Sequence, residues 1–115
     1  MLDEQLAGEL QADGTPRPPW VRHPELERYS LGWRMGYGES YLDLWWHWAA
    51  ARSSDELTAY FWRHAPLPVE WADWVASALG LEVDPDEPAP AIERIAQAGL
   101  VDLAAWQRYW STEPL

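Results

Sequence analysis

YSLGWRMGYGESYLDLWWHWAA, residues 29–50, holds two hydrophobic periods side by side. Tyr29, Leu31, Trp33, Met35 and Tyr37 alternate with Ser30, Gly32, Arg34 and Gly36, which is the period-two pattern of an extended chain. That alternation predicts an extended glycine-rich arm over residues 29–38. One face of the arm would bury the five large side chains, and the glycines would let another backbone or ring approach closely. From Glu39 or Ser40 to Arg52 the period becomes helical. Tyr41, Trp45, Trp48 and Arg52 share one face, extended by Leu44 and Ala51, while Leu42, Trp46 and Ala49 lie on another. Only Asp43, His47 and Ala50 form a narrow, less apolar side. A helix apolar nearly all round is expected at the centre of its fold.

Outward from this stretch, helices are punctuated by Pro and Gly. Leu2, Leu6 and Leu10 mark a first helix over residues 2–12, followed by a Pro-rich linker at 13–20, since each Pro disfavours helix and extends the residue before it. Residues 23–28 are expected to form a short helical turn. Ser53 and Glu56 have capping-box spacing ahead of the stripe Leu57, Tyr60, Phe61 and His64. Pro68 opens a helix with Trp71, Trp74, Val75, Ala78 and Leu79 on one face and Gly80 as its stop. Residues 82–90 read as an acidic, Pro-rich loop. Ile92, Ile95 and Ala96 mark a short helix to Gly99, and Asp102 caps a last one through Leu103, Trp106 and Trp110. The predicted class is mostly α: a small single domain over 1–115, a bundle of about five helices with one extended arm.

The chain of 115 residues is long enough for a core of its own. It has no Lys, Asn or Cys, and all eight basic residues are Arg. This bias toward GC-rich codons points to a bacterial or phage coding sequence, and the lack of cysteine excludes disulfides and thiolate metal sites. No apolar run reaches the roughly 18 residues of a membrane span. The acidic start MLDEQLAGEL lacks the basic and apolar regions of a signal peptide, so a cytoplasmic location is expected. Nineteen acids against eight bases give a net charge of −11. That charge opposes direct binding to nucleic-acid phosphates or to anionic membranes and favours a basic partner.

Local motifs for chemistry are sparse. Gly32, Gly36 and Gly38 precede a helix, but GWRMGYGES fits neither GxGxxG nor the P-loop pattern, and Glu39 puts a negative charge where a phosphate would sit. Asp43 and His47, at i and i+4, are predicted to pair with each other rather than to ligate a metal. The run Asp84-Pro85-Asp86-Glu87 lacks the glycine and the downstream Glu of an EF-hand. No serine has a recognisable base near it, and no carboxylate pair stands out. No metal, no cofactor and no enzymatic activity are expected.

The strongest anomaly is ten tryptophans with five tyrosines. Tryptophan is rarely buried completely, so several rings should reach the surface, where Trp, Tyr and Arg form binding hot spots. The profile resembles that of bacterial immunity proteins, small acidic cytoplasmic domains that cover the basic active site of a nuclease or other toxin. The resemblance is one of profile, without a shared motif. It implies an inhibitor-type protein–protein interaction with a basic, toxin- or nuclease-like partner. Candidate contacts are Trp33, Arg34, Tyr37, Trp62, Glu70, Trp71, Asp73, Glu82, Asp84, Asp86 and Glu87. Alternative readings are a phage-type nucleic-acid mimic, an aromatic box in which Trp33 and Tyr37 hold a quaternary ammonium or flat ligand, and a self-pairing module.

Overall fold

The computed structural model describes residues 2–111. The chain is mostly helical, with no strand among the described residues, as the sequence predicts. Among the described residues seven helices and two 3-10 turns replace the expected five or so helices: α1 (Leu2–Glu9), α2 (Pro19–Arg22), α3 (Tyr37–Ala49), α4 (Ser54–Trp62), α5 (Ala72–Ala78), α6 (Ala89–Gln97) and α7 (Leu103–Ser111), with turns at Leu31–Trp33 and Val69–Trp71. The chain divides into two compact units, Met1–Arg52 and Ser53–Leu115.

In the first unit α3 is central, and α1, α2 and the 31–33 turn all pack against it. Tyr41, Leu44, Trp45, Trp48 and Ala49 are its buried residues. Trp45 meets Trp46 and Trp48 edge-on at centroid distances of 5.1 and 5.8 Å, the arrangement that ring quadrupoles favour. Asp43, His47 and Ala50 are exposed, as the narrow polar side predicted. The expected Asp43–His47 pair does not form. Instead α1 crosses α3, and His47 Nε2 lies 2.6 Å from Asp3 Oδ1.

The Pro-rich segment 13–20, expected as a linker, is packed. Asp13 Oδ1 accepts from the Thr15 amide at 3.0 Å, Gly14 takes φ +84°, and Leu10 pairs with Pro16 as an isolated antiparallel bridge. This turn sends the chain back, and Pro16, Pro18 and Pro19 are fully buried. The Tyr41 hydroxyl donates to the Arg17 carbonyl, and the burial of that hydroxyl raises its pKa well above the usual tyrosine range. Residues 23–28 form turns rather than the expected helical turn.

The main departure from the sequence reading is the arm. Residues 29–38 are not extended. The Ser30 hydroxyl accepts from the Gly32 amide at 3.1 Å, a 3-10 turn runs from Leu31 to Trp33, and the Met35 amide donates to the Leu31 carbonyl at 3.0 Å. Gly36, at φ +83°, then turns the chain directly into α3. Such a φ is open to glycine at little cost and strained for other residues. Because the backbone curls, the alternation does not select one face. Trp33 is buried, while Tyr29, Leu31, Met35 and Tyr37 are 57%, 59%, 61% and 54% exposed. The close approach expected of the glycines does occur. Gly38 lies so near the turn that a Cβ there would sit 2.1 Å from the Gly32 carbonyl oxygen.

The second unit opens with the predicted capping box. The Ser53 hydroxyl accepts from the Glu56 amide, and Glu56 accepts from the Ser53 amide, both at 3.1 Å. Leu57, Tyr60 and Phe61 of α4 are buried. The 69–71 turn and α5 bury Trp71, Ala72, Val75 and Ala76, and Gly80 follows at φ +86°. Helix α5 packs on α6, which packs on α7, and Ile92, Ile95, Leu100 and Trp106 complete the core. Asp102 accepts from the Ala105 amide at 3.2 Å, the expected cap.

Substitution of Gly38 by Ala is expected to destabilise the fold by about 3 kcal/mol, because the added methyl meets backbone that cannot yield locally. Ala at Gly8, where nothing lies within 4 Å, is expected to stabilise by roughly 0.5 kcal/mol. Urea denaturation of the two variants checks both signs.

Candidate functional site

The segment after α2 sets the surface of the first unit. His23, at the end of α2, is buried against three rings: Tyr37 at 4.7 Å, Tyr41 at 5.6 Å and Trp33 at 6.1 Å between centroids. Its Nδ1 lies 3.2 Å from Glu25 Oε2, the atom to which the Tyr37 hydroxyl donates at 2.9 Å. Trp33 Nε1 points to the Leu26 carbonyl at 3.4 Å. The rings proposed to box a cation therefore already enclose an imidazole of the chain itself.

This arrangement holds one side of Tyr37 while leaving the rest of its ring exposed. Tyr29, Leu31, Met35 and Tyr37, four large side chains within nine residues and hereafter the ridge, are each more than half exposed. Exposed apolar side chains clustered in one short segment mark interaction sites, whereas scattered single residues do not. Arg34 is also exposed. Beside the ridge, Arg28, Tyr29, Ser30, Trp33, Arg34 and Leu42 line a groove of about 450 Å³. Arg28 lies over the Tyr29 ring at 4.8 Å, a cation–π contact.

The remaining candidates belong to the second unit. Trp71 is buried among core residues, and like Trp33 it is withdrawn from the surface contact role expected of it. Their burial agrees with the apolar face and the helical stripe on which the sequence pattern placed them, and each lies in a 3-10 turn. Glu70 and Asp73 are half-buried, and Asp73 accepts from the Trp74 amide at 2.9 Å. Trp62 is 56% exposed, with Nε1 donating to the Ala98 carbonyl at 2.9 Å and its ring against Gly99. It presents one fixed aromatic face.

Glu82, Asp84, Asp86 and Glu87 are all exposed. Asp84 closes its own turn by accepting from the Asp86 amide at 2.9 Å, and Glu82, Asp84 and Glu87 share a shallow groove with Val83, Pro85, Pro90 and Ala91. None of Glu82, Asp86 and Glu87 has a cationic partner among the described residues. Among those residues no group of three potential ligands is placed to hold a metal ion. Also among them, no helix is long and apolar enough to cross a membrane.

The sequence reading missed Tyr29, Leu31 and Met35, which it assigned to a buried strand face, and His23, which it did not place. The available signal was Ser30-x-Gly32, a Ser followed two residues later by an amide it can hold, which favours a turn over a strand. No family model, no curated protein and no solved structure shows a significant match to this chain.

The Glu25 carboxyl is held below the usual carboxylate range by its own backbone N–H, then by the Tyr37 hydroxyl and His23. Because the folded-state pKa is the lower one, this stabilisation is complete above the ordinary carboxylate range and is lost as pH falls through the lowered value. In Tyr37→Phe the Glu25 pKa is expected to move up toward the ordinary value, read by carboxyl NMR titration. An unchanged titration contradicts the bond.

Proposed function

We propose that this chain is an acidic protein-binding module of the inhibitor or immunity type, acting by occlusion rather than catalysis. One observation carries the reading: the apolar ridge Tyr29, Leu31, Met35 and Tyr37 stands exposed on a chain of net charge −11. A large apolar patch supplies the dehydrated contact area that holds a complex, and excess negative charge steers a basic partner to it. The unpaired carboxylates Glu82, Asp86 and Glu87 support the choice of a basic partner, because no cation of their own unit offsets them. Trp62 offers a second rigid aromatic face.

The ridge also favours this reading over nucleic-acid mimicry. A mimic presents phosphate-like rows of carboxylates to its target, and four apolar side chains have no phosphate to imitate. A bacterial or phage source and a cytoplasmic setting accompany the proposal.

The test is a complex with a basic partner captured from the source cells and purified to defined stoichiometry. The double substitution Leu31→Asp, Met35→Asp is expected to weaken it by at least about 100-fold, mainly through faster dissociation. Its association rate in the unsubstituted protein is expected to fall steeply with salt. A complex indifferent to both changes contradicts the proposal.

A further inference from the structure

We infer that the groove beside the ridge is a binding site for a carboxylate carried on an aromatic or branched apolar body. Three observations converge within the first unit. The first is charge: residues 28–38 contain Arg28 and Arg34 and no acid. Arg17 and Arg22, which precede them in the unit, both turn to Glu9, at 3.8 and 2.9 Å. Arg34 has no such neighbour; its guanidinium makes no hydrogen bond or ion pair among the described residues. A free, forked cation on an otherwise strongly acidic chain is suited to a planar anion from outside.

The second observation is the arrangement of donors. Arg28 and Arg34 line the same groove as Ser30. The Ser30 oxygen is used as acceptor for the Gly32 amide, which leaves its own O–H to donate. Arg28 is pre-oriented by the Tyr29 ring beneath it. One anion can thus meet the Arg34 guanidinium and the Ser30 hydroxyl, in a groove that Arg28 also lines.

The third is the apolar lining. Trp33 spends its N–H on the Leu26 carbonyl, so it offers the groove ring carbon, and Leu42 and the Tyr29 ring complete the apolar surface. The groove, at about 450 Å³, falls within the roughly 300–1,000 Å³ of ordinary small-ligand sites. A bare anion would leave this surface wet, so the ligand carries an apolar body. Glu39, in the first turn of α3 and close in sequence to Arg34, adds a negative charge to the segment that repels a singly charged carboxylate less than a dianionic phosphate. Such a carboxylate comes either from a small aromatic acid or from the C-terminus of a peptide chain.

Calorimetric titration distinguishes these. The probes are phenylacetate, acetyl-alanyl-phenylalanine with a free C-terminus, the amide of each, and phenyl phosphate. At least one free acid is expected to bind at a single site, and its amide about tenfold or more weakly. Tighter binding of phenylacetate assigns the small acid, and tighter binding of the peptide assigns a chain terminus; both support the site. In Arg34→Gln, whose side chain has no folded-state partner to lose, binding is expected to weaken about tenfold. Arg34→Lys, which keeps the charge but not the fork, falls between. The inference is overturned if neither acid saturates, if the amides bind as well, if phenyl phosphate binds tenfold tighter than either acid, or if Arg34→Gln binds unchanged while its circular dichroism matches the parent.

Discussion

The first unit depends on one steric fact: Gly38 has no side chain. Its Cα lies against the carbonyl of Gly32, where a Cβ would come within 2.1 Å of oxygen, and a Cβ on Gly32 would meet Leu26 Cδ2 at 2.7 Å. Two glycines six residues apart therefore let the 31–33 turn close directly onto the first turn of α3. Once the turn is closed, the fate of its neighbours follows. Trp33 is driven inward beside His23, Tyr37 reaches the Glu25 carboxylate, and Tyr29, Leu31 and Met35 have no interior left to enter. The ridge is a consequence of the close approach.

Helices whose reading rested on local chemistry were legible from the sequence. Ser53 and Glu56 make a capping box because both partners lie within one turn of each other, and Asp102 caps α7 for the same reason. The aromatic helix is central in its unit because a stripe of Tyr41, Trp45 and Trp48 leaves only a narrow polar side. The arm was misread because alternation reports a strand only where the backbone stays extended, and period two carries no information about hydrogen bonding. Ser30 and Gly36 supplied a turn and a positive φ, and these overrode the pattern. His47 paired with Asp3 rather than Asp43 since the choice rested on how α1 crosses α3, a tertiary relation absent from i, i+4 spacing. The candidate site was half legible. Arg34, Trp62 and the 82–87 acids are exposed, as candidate contacts must be; Tyr37, named as a contact but also placed on the buried face of the arm, is exposed too, while Trp33 and Trp71 went into cores.

Eight of the ten tryptophans fall into two uses, with Trp20 and Trp74 half-buried between them. Trp33, Trp45, Trp48, Trp71 and Trp106 are buried and give small helical units the bulk that short helices alone lack. Trp46, Trp62 and Trp110 remain partly exposed, in company with the ridge, on a chain whose charge is strongly one-sided. Under the proposal made above, excess negative charge would steer a basic partner toward this accessible apolar contact area. The proposed module and the carboxylate groove both draw on the same 28–38 segment, and Tyr29 belongs to both the exposed set and the groove lining.

The most direct test of this account is solvent accessibility along the turn, measured by NMR with a soluble gadolinium chelate. The chain has two methionines, so the Met35 methyl group is readily assigned. The account predicts strong broadening of the Met35 methyl, the Leu31 methyls and the Tyr29 ring, with the Trp33 indole little affected. Equal protection of Tyr29, Leu31, Trp33 and Met35, as on the buried face of a strand, would contradict it.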